Sequence, residues 1–239
     1  MIDPDTVDLW VVPLDDTAPG THEERAGELS PYERQRLQRL GERNPKARHR
    51  YLTAHLASRD IVSGYLGCRP ADLTHVRHAQ HGKPGYNLGW CPGPAISLSR
   101  SDGLALLAVR APGATVGVDV ERIRAGIDWA RVLGGPQRET ASGFRAWTRL
   151  EASVKASGLG LSAAAGRDLS PWPALSVTLP HPFGDYAAAV ATDRAGRFRA
   201  RIRLRHHAVS TADLTNFADS AGHRTIMPRY ILNSDRSSA

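Results

Sequence analysis

An α+β fold in two halves is predicted for this chain of 239 residues. Three observations predict it. Helical periodicity with capping signals occurs early as a pair of helices and again near Glu151. Apolar runs of strand length, separated by turn residues, follow each helical region. The resulting order, helix–helix–strands and then strand–helix–strands, divides near Ala111–Ala114, "APGA", into two α+β units. The expected boundaries are residues 1–112 and 113–222, with a loose tail over 223–239 that ends in "NSDRSSA". No sequence repeat relates the halves.

The elements follow in order. "DLWVVP", residues 8–13, reads as a short strand. "LSPYERQRLQRL" carries a helix start, with Ser30 as N-cap, Pro31 at the first helical position and Glu33 closing a capping box. A second helix is expected from about Ala47 to Leu66, with Tyr51, Leu52, Leu56, Ile61, Val62 and Tyr65 on its apolar side and Gly67 at its end. "HGKPGYN" is turn chemistry. "AISLS" and "LALLAVR" flank "RSDG" as a hairpin, and "TVGVDVERI" is another strand. The helix around Glu151 is expected to bury Trp147, Leu150 and Val154 and to stop at Gly158. "LSVTLP", "YAAAVAT" and "RFRARIRLR" read as strands, the last two joined by a "DRAG" turn.

Composition narrows the function classes. Hydrophobic residues make up 41% and charged residues 23%, a globular balance. No apolar run approaches the roughly 20 residues of a membrane helix, and the acidic N-terminus lacks the basic start of a signal peptide. Two cysteines, Cys68 and Cys91, give neither a disulfide framework nor a metal spacing. These features predict a cytoplasmic protein with no membrane partner. The net charge of +7 favours anionic partners, whether a phosphorylated small molecule, nucleic acid or an acidic protein.

Four groups of residues could carry chemistry. In "GVDVER", Asp119 and Glu121 share one side of a strand, about 7 Å apart. They suit a hard cation such as Mg²⁺, or a solvated acidic face. In "WTRLEASVKASGLGL", Glu151 and Lys155 stand one helical turn apart. They form either a surface ion pair worth about 0.3–0.5 kcal/mol or a third metal carboxylate and a phosphate contact. Arg48, Arg50, Lys83, Ser99, Arg100 and Ser101 offer cations and hydroxyls to a phosphate. In "RFRARIRLR" every second residue is arginine, which fits an edge strand guarded by charge or a docking face for an acidic partner or nucleic acid. His206 and His207 have no companions at metal-ligand spacing. No P-loop, dinucleotide fingerprint, nucleophile elbow or nucleic-acid module is present.

From about Leu29 to Leu161 the chain resembles the 4′-phosphopantetheinyl transferases of the surfactin-synthetase type. The resemblance rests on "LSPYERQRLQRL", "ARHRYLTAHLASRDIV", "HGKP", "ISLSRSDGLALLAV", "VGVDVERI" and "WTRLEASVKASGLGL", in the family's order and spacing. It implies a monomer of two similar halves related by a pseudo-twofold axis. Each half would be a small antiparallel sheet packed with helices, with the active site between them. The implied reaction moves the phosphopantetheine arm of coenzyme A to a serine of an acyl-, polyketide- or peptidyl-carrier protein and releases adenosine 3′,5′-bisphosphate. Nucleic acid is not an implied partner. The resemblance assigns Asp119, Glu121 and Glu151 to Mg²⁺, with Mn²⁺ as a substitute, and Lys155 to the phosphate. Glu151, directly or through water, is the expected base. Lys83 and Pro84 of "GKP", Ser99 and Arg100 match coenzyme-binding positions, and Arg50 and Arg36 match cations near the 3′-phosphate.

Three positions depart from the family pattern. Leu150 stands where a lysine usually precedes the helix glutamate. Arg100 stands where histidine usually separates the two serines, so it offers permanent charge and no proton transfer near neutral pH. "VLGGPQRET" keeps only Glu139 of an aromatic–serine–glutamate segment. These departures leave open a relative that binds coenzyme A or a carrier protein without transfer.

Overall fold

The computed structural model describes residues 2–18, 20–41, 44–77, 84–193 and 199–205. Lys83, His206, His207 and the 223–239 tail lie outside them. Strand β1, Thr6–Pro13, opens the chain. Helices α1, Pro31–Gly41, and α2, Pro45–Leu66, follow. A capping box starts α1: Ser30 N donates to Glu33 Oε2 at 2.8 Å, and Glu33 N donates to Ser30 Oγ at 3.3 Å. Asn44 caps α2 by accepting from Ala47 N, and Gly67 ends it with φ of 63°.

Strands β2 (Thr74–Arg77), β3 (Pro84–Leu88) and β4 (Cys91–Pro92) form a small sheet. The later part of "HGKPGYN" is thus strand, because Pro84–Asn87 pairs with β2. The expected hairpin is β5, Ala95–Ser101, and β6, Leu104–Arg110, turning through Asp102 with φ of 47°. Strand β7, Val116–Arg122, precedes the short helix α3, Trp129–Leu133. Next come the long helix α4, Thr140–Ser157, and the short α5, Leu161–Ala164. Strands β8 (Ala174–Val177), β9 (Tyr186–Thr192) and β10 (Arg199–Leu204) complete the described chain.

One sheet has the order β10-β1-β6-β5 and another has the order β7-β9-β8. They meet face to face. Val7, Leu9, Val11, Leu104 and Leu106 from the first pack with Val116, Val118, Val120, Ala188 and Val190 from the second. Helix α2 covers the far side of the first sheet through Ala54, Ala57, Ile61 and Val62. Helix α4 covers the far side of the second through Ala152 and Ala156. The architecture is α+β, with four layers in the order helix, sheet, sheet, helix.

Strand β10 departs from the sequence expectation. It does not fold back on β9; it crosses to the first sheet and pairs parallel with β1, with Asp8 opposite Arg201. That sheet is therefore mixed, not purely antiparallel, and residues assigned to the second half complete the first. The reason lies in β10's two faces. Ala200 and Ile202 add to the core between the sheets, while Arg201 donates to the buried Asp8 at 2.6 Å. As expected, β10 is an edge strand.

Candidate active site

Strand β7 and helix α4 meet at Gly117. A Cβ there would lie 2.0 Å from Ala152 O and 2.4 Å from Ala156 N, so only glycine admits the helix at this depth. Gly117, Asp119 and Glu121 alternate with the core valines Val116, Val118 and Val120 and thus share the face toward α4. The helix lies on this face through Phe144, Thr148, Ala152 and Ala156, all buried. Four-residue steps of mostly small side chains make that contact. Leu150, expected to be buried, is therefore on the rim and 37% exposed, while Trp147 is half-buried and Val154 buried.

This packing brings Lys155 to Asp119. Its Nζ donates to Asp119 Oδ1 at 2.6 Å and to Ser99 Oγ at 3.1 Å. Glu151 Oε2, one turn back on the same helix, is 3.8 Å from Nζ. The stronger partner of Lys155 is thus the carboxylate on the other element. Asp119 is 2% exposed, and its Oδ2 has no hydrogen-bond partner among the described residues. Burial raises the Glu151 pKa, and repulsion from Asp119 and Glu121 adds to this against the pull of Lys155. Burial also raises the Glu121 pKa; Asp119 adds to this and a hydrogen bond from Ser101 opposes it. Asp119 lies near enough to Glu121 and Glu151 to disfavour their charge.

The alternating serines of β5 attach to this group. No backbone ladder joins β5 to β7 among the described residues. Instead Val118 N donates to Ser97 Oγ at 3.1 Å, Val120 N to Ser99 Oγ at 3.4 Å and Arg122 N to Ser101 Oγ at 3.2 Å. Ser99 Oγ donates in turn to Asp119 Oδ1 at 2.7 Å, and Ser101 Oγ to Glu121 Oε2 at 2.7 Å. Ser99, read from sequence as a coenzyme contact, here holds Asp119 and Lys155. The period-two run "SLSRS" was legible in the sequence, but its partner strand was not, because side chains replace the ladder.

The remaining cations lie elsewhere. Arg100 sits between the two serines on β5 and so faces the opposite side, with its guanidinium 5.0 Å from the Tyr51 ring centre of α2. Burial lowers its pKa, and repulsion from Arg36 adds to this. Arg36, on α1, is exposed. Arg50 is engaged by Asp15 through two hydrogen bonds, at 2.8 and 2.5 Å, and stands 3.5 Å from Asp102 in the β5–β6 turn. The Asp15 hydrogen bond raises the Arg50 pKa. Arg48 is paired with Glu23. Pro84 begins β3. A cavity of about 430 Å³, lined by Tyr86, Pro94, Ile96, Thr115, Ala156 and Gly158 among others, opens beside the end of α4.

No described group of three His, Cys, Asp or Glu side chains is arranged as a ready-made metal cage. The donor chemistry nevertheless suits a hard cation. Oxygen donors from Asp119, Glu121 and Glu151 are what Mg²⁺ prefers, and the buried Asp119 Oδ2, which takes no hydrogen bond from the described residues, is a donor of that kind.

No family model matches the chain. Among curated proteins, the 4′-phosphopantetheinyl transferase HetI of Nostoc sp. (strain PCC 7120 / SAG 25.82 / UTEX 2576) is similar to it. The two are 30% identical in an alignment 174 residues long, and the match covers 66% of this chain and 71% of the relative.

Proposed function

The chain belongs to the 4′-phosphopantetheinyl transferases, and on that premise we propose that it moves the phosphopantetheine arm of coenzyme A to a serine of an acyl-, polyketide- or peptidyl-carrier protein. The surfactin-synthetase type is the subtype we infer, from the spread of its motifs over both halves. One observation carries the reading: α4 and β7, some 30 residues apart in sequence, put Lys155 in contact with Asp119 and beside Glu151.

In the proposed reaction, the carrier serine oxygen attacks the pyrophosphate phosphorus that bears the pantetheine arm. A new P–O bond forms, and the bond to the bridging oxygen breaks. The electron pair leaves with adenosine 3′,5′-bisphosphate, and the serine proton goes to Glu151. Burial makes the Glu151 carboxylate a better proton acceptor than an exposed one. The Lys155 ammonium stabilises charge on the leaving phosphate. Asp119, Glu121 and Glu151 would hold Mg²⁺ or Mn²⁺, which supplies charge neutralisation along the pyrophosphate. Arg36 and Arg100, near Tyr51, and Arg50 at the β5–β6 turn are the cations assigned to the coenzyme phosphates, with Ser99 and with Lys83 and Pro84 of "GKP" as further coenzyme contacts. The enzyme is proposed to act as a cytoplasmic monomer.

The test is intact-mass analysis of a panel of carrier proteins incubated with coenzyme A and Mg²⁺. A phosphopantetheine increment that vanishes with a chelator is expected. The exposure of Leu150 next to Glu151, where the family usually has a lysine, favours a second reading: binding of coenzyme A or carrier without transfer. Coenzyme binding by calorimetry with no modified carrier would select it, and turnover on one carrier would remove it.

A further inference from the structure

Each of three serines on β5 accepts a backbone N–H of β7, but only two meet a carboxylate. Ser97 accepts from Val118 and stands beside Gly117, which has no side chain to bind. Ser99 and Ser101 use the same acceptor geometry and then donate to Asp119 and Glu121. A hydroxyl has one hydrogen. Once its oxygen is fixed by a backbone N–H, that hydrogen is directed at one carboxylate oxygen. On Asp119 the chosen oxygen is Oδ1, and Oδ2 is left buried without a partner. On Glu121 it is Oε2, and Oε1 takes no hydrogen bond from the described residues.

We propose that Ser101 is a positioning residue: held by the Arg122 N–H, it fixes Glu121 through one oxygen so that the other is presented to the divalent cation, as Ser99 does for Asp119. This rests on the metal reading given above. The serine does not touch the reacting atoms; it sets the rotamer of a side chain that otherwise has three free torsions. Groups that orient metal ligands in this way typically govern metal affinity about 10- to 100-fold. Ser97, with the same backbone bond and no carboxylate, is the internal control for the seam between the strands.

The experiment measures Mn²⁺ binding to the full chain by electron paramagnetic resonance, together with melting temperature and the KM for coenzyme A. The proteins compared are wild type, Ser101→Ala, Ser101→Thr and Ser97→Ala. Ser101→Ala is expected to bind Mn²⁺ about 10-fold or more weakly, with an unchanged KM for coenzyme A once Mn²⁺ is saturating, and Ser101→Thr to recover binding. Ser97→Ala is expected to lower the melting temperature while binding Mn²⁺ like wild type. Wild-type Mn²⁺ affinity in Ser101→Ala, or an equal loss in Ser97→Ala, overturns the positioning role alone. Transfer by a wild-type protein that binds no Mn²⁺ overturns the metal reading and this role with it.

Discussion

Lys155 has two carboxylates within reach, and the geometry ranks them. Asp119 Oδ1 is at 2.6 Å and Glu151 Oε2 at 3.8 Å. An exposed i,i+4 pair contributes only about 0.3–0.5 kcal/mol, whereas an ammonium against a buried aspartate in a water-poor site gains much more from the low dielectric. Asp119→Ala and Glu151→Ala are each expected to lower the transfer rate at least about 100-fold, with Lys155→Ala close behind. Single-turnover mass spectrometry checks this, and wild-type rates in either carboxylate variant would remove the assigned site. Glu33 gives a second prediction, on stability. Burial would raise its pKa, but the His55 hydrogen bond at 2.8 Å and the Ser30 bonds outweigh that and hold it at about 2. A carboxylate lowered from 4.5 in this way stabilises the fold above pH 4.5, and the contribution fades as pH falls toward 2. The amount is on the order of 3 kcal/mol. Urea melts between pH 2 and 6 are expected to show this slope in wild type and a flatter one in Glu33→Gln.

Among elements, α4 and β7 decide whether the site exists. The spacing of "WTRLEASVK" suggested a buried stripe of Trp147, Leu150 and Val154, yet the contact face is Phe144, Thr148, Ala152 and Ala156. Small side chains win because they allow close approach, and Gly117 completes the approach from the strand. Gly117→Ala places a methyl 2.0 Å from Ala152 O, so the helix must move away. We expect a loss of about 1–3 kcal/mol in stability and at least a 10-fold loss in transfer, as Lys155 leaves Asp119. Thermal melts and initial rates, measured together, check this; a stable, fully active variant would show that the close approach is not needed. The start of α1 and the ends at Gly67 and Gly158 were legible because caps are local: Ser30 and Glu33 stand three residues apart, and each glycine directly follows the last residue of its helix. The packed face was not, because residue size matters only against a partner surface.

For the molecule as a whole, the first sheet is finished by the last described strand. Asp8, 2% exposed, accepts from Arg201 at 2.6 Å and from Tyr65 Oη at 2.5 Å. Asp8→Ala is expected to cost about 1–3 kcal/mol, because Tyr65 loses its acceptor and β10 its anchor; limited proteolysis after residue 193 should then quicken. The net charge of +7 makes a further prediction at this scale. An acidic carrier should be steered to the enzyme, so its KM should rise several-fold between 50 and 300 mM salt while that for coenzyme A changes less. A salt-independent carrier KM would argue against electrostatic docking.

By itself the sequence determined the α+β class, the α1 capping box, the helix ends at Gly67 and Gly158, the β5–β6 hairpin and the acidic strand and helix that carry the family resemblance, since each is set by residues near one another in the chain. Only the tertiary structure decided that β10 leaves β9 for β1, that Lys155 turns to Asp119 and that Leu150 faces outward. It also decided that three serines take the place of a ladder between β5 and β7. Those outcomes depend on long-range packing, where burial, close approach and the pairing of buried charge outweigh local pattern.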